Sequence, residues 1–464
     1  MAITAIGIIR SPATELSAEA ARRSVSSVSV KQESLTTKQD RDAADGEFVM
    51  HEWGTFTTFS GSDGMFLDFR PLAAEHSDLP SYVMDRANNS GTSLFTKRRL
   101  FGRVRMETPV IYFYTDRLRS VNVRVEFPAG LLTEFYPPVQ SMTPAFDAKI
   151  AYGEGESIGK SSLDWGTVNL IPQNALVPGI KDPGVREQIA NKIMNASVPH
   201  GANEQHYAQA RATDSALVHV SNGNADAFFG QFGRQDHLEK FLFYRGVGSF
   251  DLPVEVSFQN DQPVFANHGT HPVSSVILIE SDNGSLRATK IDRVAAGDTI
   301  KFEETQTVSP QELFQMVVRS LINEGLFEKE ATAMVRTWQP SWFTENGRRV
   351  LYIVPAELTE QLLPLQITPA PKENLRVLVG RMEIMSPSDE AVLTSLVRQS
   401  IERRQDFQQS KEAKSNTNPT YPVPEEIQKW GRMTEPALVR IAKSADKIEV
   451  QQEAEKLLET IRAK

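Results

Sequence analysis

Residues 50–64 read MHEWGTFTTFSGSDG, and this stretch opens the part of the chain that has folding character. Its large aromatic side chains are Trp53, Phe56 and Phe59. Its glycines permit tight backbone turns. His51 and Glu52 place two groups that can carry protons or bind a metal at the start of the first predicted strand. We therefore organise the interpretation of the chain around this stretch.

The segment before this stretch has a different composition. Residues 11–47 are rich in small and polar side chains and contain almost no large apolar ones. Such a segment cannot bury enough apolar surface to offset the entropy lost on ordering, so residues 1–46 are interpreted as a disordered leader. Residues 2–9, AITAIGII, are either the remnant of a signal peptide or a frayed apolar terminus.

Composition bounds the class of protein. The chain has 464 residues, enough for two or three domains, and its hydrophobic content of 40% supports a sizeable core. A net charge of −9 and the lack of a basic stripe argue against nucleic acid as a partner. The chain has no cysteine, which excludes disulfides, thiol nucleophiles and thiolate metal sites. No run approaches the roughly 20 apolar residues of a transmembrane segment.

Residues 47–305 carry the patterns of β-strands. In residues 121–127, VNVRVEF, apolar and polar residues alternate strictly, which predicts a half-buried antiparallel strand. Residues 104–114, VRMETPVIYFY, are dense in β-branched and aromatic residues and predict another strand. The DNG sequence at 282–284 is typical of a hairpin turn between two further strands. We expect a β-rich, sandwich-like domain.

The hydrophobic period changes to that of helices near residue 309. Residues 309–312, SPQE, provide an N-cap, a proline in the first turn and a capping-box glutamate. Helical and strand patterns alternate through residues 306–409, so we expect an α+β segment packed on the β-rich domain. Residues 410–423 are polar and contain proline, which is typical of a linker, and residues 424–464 predict two helices.

The predicted fold class is therefore α+β, with a β-sandwich-like N-terminal domain, an α+β segment and a C-terminal helical hairpin. The hairpin at residues 424–464 resembles a single HEAT-type repeat. One such repeat cannot cover its own apolar face, so we expect the hairpin to dock on the main body or on a protein partner.

Several motifs resemble those of a family of uncharacterised, mostly exported bacterial proteins. The folded part of those proteins opens with the string His-Glu-Trp-Gly-Thr-Phe-Thr, which stands here at residues 51–57. The resemblance covers most of residues 48–409 and includes METPVIYFY at 106–114 and FLFYRGVG at 241–248. It implies export and implies no activity.

Histidines are the natural metal ligands in a chain without cysteine. His268 and His271 form the tightest pair, and Gly269 permits a turn that brings both side chains inward. His51 and Glu52 could add ligands from the opening strand. These four residues are the candidate metal site, for a divalent metal such as zinc, iron or manganese. The alternative is that they are loop or packing residues.

A second set of candidate residues has positive groups that could hold a carboxylate, phosphate or acidic sugar by bidentate hydrogen bonds. The candidate catalytic or binding residues are Arg211, Asp214, Lys240, Tyr244 and Arg245. The competing interpretation is a strand whose charged ends pair with nearby acids.

Glycoside hydrolysis would need two carboxylates in one cleft. The candidates for that role are Glu107, Glu134 and Asp164. Trp338 and Trp342 would stack on a sugar ring in that case, or they belong to the core.

No catalytic motif rises above background, so the sequence favours a binding or scaffold protein of the cell envelope. The competing hypothesis is a metal-dependent hydrolase that uses the candidate metal site. We expect a soluble protein in the periplasm or outside the cell. A protein partner would bind through the hairpin at residues 424–464.

Overall fold

The computed structural model describes residues 47–70, 79–86, 100–145, 159–202, 204–221, 236–409 and 420–462. The predicted leader at residues 1–46 and most of the predicted linker lie outside the described residues.

The fold is α+β, as predicted. In chain order, the strands of the described residues are β1 (Phe48–Ser60), β2 (Met84–Asp85), β3 (Val104–Thr115), β4 (Arg119–Phe127), β5 (Gly130–Tyr136), β6 (Ser141–Thr143), β7 (Ser161–Ile171), β8 (Leu217–Ser221), β9 (Asp236–Glu239), β10 (Leu242–Gly248), β11 (Val254–Gln259), β12 (Gln262–Asn267), β13 (Val273–Asp282), β14 (Ser285–Val294), β15 (Thr299–Lys301), β16 (Gln306–Thr307), β17 (Gly347–Val354), β18 (Leu365–Thr368) and β19 (Glu373–Ile384).

The helices fall mostly in the second half of the chain. They are α1 (Gln173–Leu176), α2 (Pro183–Ser197), α3 (Gln205–Gln209), α4 (Pro310–Asn323), α5 (Glu328–Gln339), α6 (Ala356–Leu362), α7 (Pro387–Gln409), α8 (Glu425–Gln428), α9 (Thr434–Ser444) and α10 (Ile448–Arg462). A π-helical turn spans Pro340–Thr344, and a 3₁₀ turn spans Gly431–Met433. None of the described helices is both long enough and apolar enough to cross a membrane.

Ten strands form one large mixed sheet in the order β16-β14-β13-β17-β19-β1-β3-β10-β5-β2. β1 lies inside this sheet, parallel to β19 on one side and antiparallel to β3 on the other. Strands from both sides of the predicted boundary at residues 305 and 306 therefore share one sheet. The predicted α+β segment thus contributes β17 and β19 to the sheet of the β-rich part, and pairing between distant strands leaves no local sign in the sequence.

The large sheet is buried on both faces. One face packs on two smaller sheets, β11-β12-β15 and β18-β4-β7-β8-β9 with β6 beside β7, and this layer matches the sandwich-like expectation. The other face is covered by α4 and α5. Phe56 of β1 lies in the first core and Trp53 in the second, as the alternation of a strand requires.

The local signal at residues 309–312 placed the start of α4 correctly. Ser309 and Glu312 form a reciprocal capping box at the start of α4. Ser386 and Asp389 exchange the same kind of bonds at the start of α7, each side chain accepting from the other residue's backbone N–H.

The C-terminal helices dock on the chain itself. α9 and α10 pack against each other, and their apolar side chains share a core with α7 and with Phe59 and Leu67. Tyr421 and Val423 are buried in the same core. The end of the predicted linker is therefore a packed segment, because two apolar side chains outweigh its polar composition.

A buried ion pair fixes β1 to β19. Glu52 stands opposite Arg376 in the parallel register, and its Oε2 lies 2.5 Å from the Arg376 Nε. Tyr244 of β10 donates its hydroxyl to the other Glu52 oxygen at 2.5 Å. All three side chains are almost completely buried. Arg376 also lies 3.2 Å from the half-exposed Glu360, so removing the Glu52 charge would leave the Arg376 charge only partly compensated.

We expect Glu52→Gln to lower the free energy of unfolding by about 3 kcal/mol, because it leaves the buried Arg376 charge with only the half-exposed Glu360 as an ionic partner. Tyr244→Phe is the matched control, since it removes only one hydrogen bond and is expected to cost about 2 kcal/mol. Urea denaturation at pH 7 measures both. A Glu52→Gln protein as stable as the wild type would contradict the assigned role of the pair.

Candidate functional site

Charged side chains cross one end of the large sheet on the face that helices cover elsewhere. The row crosses five adjacent strands in the order β17, β19, β1, β3 and β10; β1 contributes the neutral Thr57 and the other four contribute charged side chains. The side chains of this charged row are Arg349, Arg381, Glu383, Thr57, Arg105, Glu107 and Arg245, and all are buried.

Strand register aligns the row. Thr57 of β1 stands opposite Arg105 of β3 on one side and opposite Arg381 of β19 on the other. Arg349 stands opposite Glu383. Because residues directly opposite each other share a face of the sheet, the register itself brings these side chains together.

A β-bulge in β3 aims Arg105 and Glu107 into the row. Thr55 pairs with Glu107 and Trp53 with Val110, so Gly54 alone faces two residues of β3, Thr108 and Pro109, and β3 has one extra residue here. A Cβ on Gly54 would lie 2.9 Å from the Pro109 Cα, so no larger residue fits without displacement. The extra residue inverts the alternation of β3, and without it Glu107 would face the other core.

The ion pairs at the β3 end of the row involve the C-terminal part of the chain. Glu107 accepts a hydrogen bond from the Thr57 hydroxyl at 2.7 Å and lies 3.2 Å from the Arg105 Nε. Arg432, from the 3₁₀ turn, lies 3.4 Å from Glu107 and 3.0 Å from Glu345. Arg432 therefore links the sheet to the segment after the π-helical turn.

The network continues to the other end of the row. Arg381 lies 3.0 Å from Glu345 and donates to Glu383 at 2.7 Å. Arg349 donates to Glu383 at 3.0 Å and to the Trp342 carbonyl at 2.7 Å. Burial alone would raise the pKa of Glu383, but Arg349 and Arg381 outweigh it and hold that pKa below its usual value.

A cavity of about 290 Å³, here called the inner cavity, lies between this network and the π-helical turn. Its charged lining residues are Arg105, Arg245, Arg432, Glu107 and Glu345. The guanidiniums come from β3, β10 and the 3₁₀ turn, and the buried Glu134 stands opposite Arg245 in the strand pairing. Guanidiniums that converge from three elements can bind an anionic occupant.

Two aromatic side chains line the inner cavity with polar atoms that have no hydrogen-bond partner among the described residues. These atoms are the Tyr207 hydroxyl and the Trp338 indole Nε1. Tyr207 is 2% exposed and Trp338 is 7% exposed. A buried polar group without a partner costs about 1–3 kcal/mol, so both atoms fit a polar ligand in the cavity.

A larger cavity of about 960 Å³, here called the outer cavity, lies between the same end of the sheet and the C-terminal helices. Thr344, Glu345 and Arg432 line both cavities. The ion pair between Arg432 and Glu345 is therefore part of the partition between them.

The first two candidate metal ligands lie on opposite faces of β1. His51 is buried on the helix side, where its Nδ1 lies 2.8 Å from a Glu330 oxygen. Glu52 faces the other core and pairs with Arg376. Adjacent residues of a strand point in opposite directions, so these two cannot bind one metal from a regular strand.

The other two candidate ligands lie near the surface with different partners. His268 lies 3.1 Å from Glu255, and His271 lies 3.6 Å from Glu357. The structure does not bring the four candidates together. Within the described ranges, no group of three or more histidine, aspartate or glutamate side chains is arranged to hold a metal ion.

The candidate anion-binding residues are also separated. Arg211 forms a buried ion pair with Glu239 at 2.8 Å and donates to the Tyr82 hydroxyl. Asp214 accepts a hydrogen bond from Lys329 at the surface. These two candidates therefore have partners within the chain.

Tyr244 and Arg245 are adjacent on β10 and face opposite cores. Tyr244 bonds to Glu52, whereas Arg245 lines the inner cavity. Arg245 is thus the one member of the predicted set that reaches the cavity lining.

The structure also separates the candidate carboxylates and tryptophans: some of them line the inner cavity and others do not. Glu107 lines the inner cavity, whereas Glu134 lies on β5 and Asp164 on β7. Trp342 is fully buried, and Trp338 stacks on it at 6.4 Å between ring centroids while also lining the cavity.

Sequence reasoning did not single out Arg105, Arg381, Glu345 or Arg432. One signal was present: the tripeptide RME occurs at 105–107 and again at 381–383, each time inside a strongly apolar strand. Charges that alternate with core methionines on two strands of one buried sheet indicate a buried polar site.

Comparisons with known proteins identify no family. No family model and no curated protein matches the chain. Among solved structures, the Fcho1 mu homology domain of Danio rerio with bound Eps15 peptide is 5% identical and covers 74% of this chain and 98% of its own, with a TM-score of 0.25. The yeast delta-COP-I mu-homology domain complexed with a Dsl1 WxWxV peptide is 8% identical, covers 74% and 96%, and has a TM-score of 0.22. Scores this low carry no argument about function.

Lys240 provides a pH test of the surroundings of the site. Burial lowers the pKa of Lys240 to about 8 from an unfolded value of 10.5. Between these values the unfolded chain binds more protons, so this group makes stability rise with pH, by about 1.5 kcal/mol from pH 8 to 9.5. Urea denaturation should show a flatter rise for Lys240→Met than for the wild type. If stability rises with pH equally steeply in both proteins, the lowered pKa of Lys240 is contradicted.

Proposed function

We propose that this protein binds a small anionic molecule in the inner cavity. The observation that carries the proposal is the convergence of Arg105, Arg245 and Arg432, from three separate elements, on one small volume. Arginine suits this task because its planar guanidinium forms bidentate hydrogen bonds with carboxylates and phosphates.

The size of the inner cavity indicates the size of the ligand. About 290 Å³ equals the liquid volume of about ten water molecules. It lies at the lower end of the range of about 300–1,000 Å³ that is usual for small-molecule sites. A single small molecule therefore fits, and a polymer would not.

Glu107 and Glu345 support binding by holding the guanidiniums in place. Each carboxylate contacts Arg432, and Glu107 also contacts Arg105. A site whose donors are already fixed loses little side-chain entropy when the ligand binds. Arg105, Glu107 and Arg245 are buried, and charge interactions are stronger there than in water.

A ligand-binding role has more support than a scaffold role. The sequence predicted that the apolar stripe of the C-terminal hairpin would dock on the main body or on a partner. In the structure this stripe packs on α7. A partner that used the same stripe would have to displace that core. Location in the cell envelope remains part of the proposal, on the resemblance to exported proteins.

Isothermal titration of the full chain tests the proposal with three anions: inorganic phosphate, cyclohexanecarboxylate and D-glucuronate. We expect at least one of them to bind and Arg432→Ala to weaken that binding by tenfold or more. One charge-assisted hydrogen bond is worth about 1.5–3 kcal/mol, and 1.4 kcal/mol is a factor of ten.

Arg440→Ala is the matched control for this experiment. Arg440 lies in the same helical unit and also forms ion pairs, with Asp63 and Glu390, but it does not line the inner cavity. The Arg440→Ala variant should bind the anion with the same affinity as the wild type. Failure of all three anions to bind, or equal losses in the two variants, would overturn the proposal.

A further inference from the structure

The lining of the inner cavity offers neutral hydrogen-bonding groups as well as positive charge. We infer that its ligand is a hydroxylated carboxylate, of the class of the acidic sugars; this inference rests on the proposed function. The argument depends on which polar atoms of the lining have partners and on which kinds of hydrogen bond they can form.

The Tyr207 hydroxyl is held in a fixed position without a partner among the described residues. Its ring packs against Phe241 and Phe243, with centroid distances of 5.1 and 5.4 Å, and the Arg211 guanidinium lies 5.3 Å from its centroid. These contacts fix the ring but give the hydroxyl nothing to bond. A ligand hydroxyl would satisfy it, because both groups can donate and accept.

The Trp338 indole is fixed in a similar way. Its ring stacks on Trp342 with an angle of 18° between the planes, and its N–H finds no acceptor within the described part of the chain. An indole N–H can only donate, so it requires an oxygen acceptor on the ligand.

The same lining offers acceptors for ligand hydroxyls. Glu107 and Glu345 already accept from arginine side chains, and their remaining lone pairs can accept from a ligand hydroxyl. The hydroxyls of Ser341 and Thr344 donate to the backbone carbonyls of Trp338 and Pro340, so their oxygens keep lone pairs that can accept. An apolar acid would bury these groups and return no hydrogen bond, which is unfavourable.

The guanidiniums favour a carboxylate over a neutral sugar as the ligand. Three of them line the inner cavity, and a carboxylate can form charge-assisted hydrogen bonds with them that a neutral sugar cannot form. Inorganic phosphate could bind the guanidiniums, but it has no hydroxylated ring to place beside Tyr207 and Trp338. A carboxylate joined to a hydroxylated ring satisfies both kinds of group.

Isothermal titration of the full chain with three matched probes tests this inference. D-glucuronate has both the carboxylate and the hydroxyls, cyclohexanecarboxylate has only the carboxylate, and D-glucose has only the hydroxyls. We expect D-glucuronate to bind at least tenfold more tightly than cyclohexanecarboxylate, and D-glucose to show no binding.

The variant Tyr207→Phe isolates the hydroxyl. It should weaken D-glucuronate binding by about tenfold and leave cyclohexanecarboxylate binding unchanged, since one hydrogen bond is worth about 1 kcal/mol or more. The ligand-free variant should melt no lower than the wild type, because the hydroxyl has no partner to lose within the described chain.

Tyr352→Phe is the matched control. The Tyr352 hydroxyl is also buried without a partner among the described residues, but it belongs to the opposite core and not to the cavity lining. Removal of the Tyr352 hydroxyl should change neither the affinity for D-glucuronate nor the affinity for cyclohexanecarboxylate. Equal binding of the two carboxylates by the wild type, or equal losses for both in Tyr207→Phe, would overturn this inference alone. If no anion binds at all, the proposed function itself fails.

Discussion

The pairing of β1 with β19 and β3 is the constraint on which the rest of the structure depends. All thirteen residues of β1 are buried, and its two neighbours come from opposite ends of the folded chain. A slip of one residue in either register would move every side chain of the slipped strand to the other face. The register therefore sets the two cores, the Glu52–Arg376 pair and the charged row together.

The charged row is costly to bury, and its arrangement shows how that cost is offset. Guanidiniums and carboxylates alternate from Arg105 through Glu345 to Arg349, so each charge has an opposite neighbour. Such networks rarely add net stability over an apolar core, because desolvation cancels most of the attraction. A site that needs fixed positive charge gives a reason to keep the network, and Arg245 adds a further positive group on the same face.

Local sequence signals predicted the elements but not their assembly. The capping residues at 309–312 and the alternation at 121–127 act over a few residues, and both predictions are confirmed. The shared sheet and the inner cavity depend on contacts between residues hundreds of positions apart, such as Thr57 with Arg381 and Glu107 with Arg432. The bulge at Thr108 and Pro109, which aims Glu107, likewise has a meaning only against Gly54 of another strand. The candidate metal site is a different case: the predicted strand at His51 and Glu52 already implied that the two side chains diverge.

A crystal structure of the protein soaked in bromide would test the central claim, the presence of an anion site inside the fold, most directly. Anomalous scattering locates bromide independently of the protein model. The account predicts a bromide ion in the inner cavity, within hydrogen-bonding distance of Arg245 and Arg432. Bromide confined to the outer surface, with only water in the cavity, would contradict it.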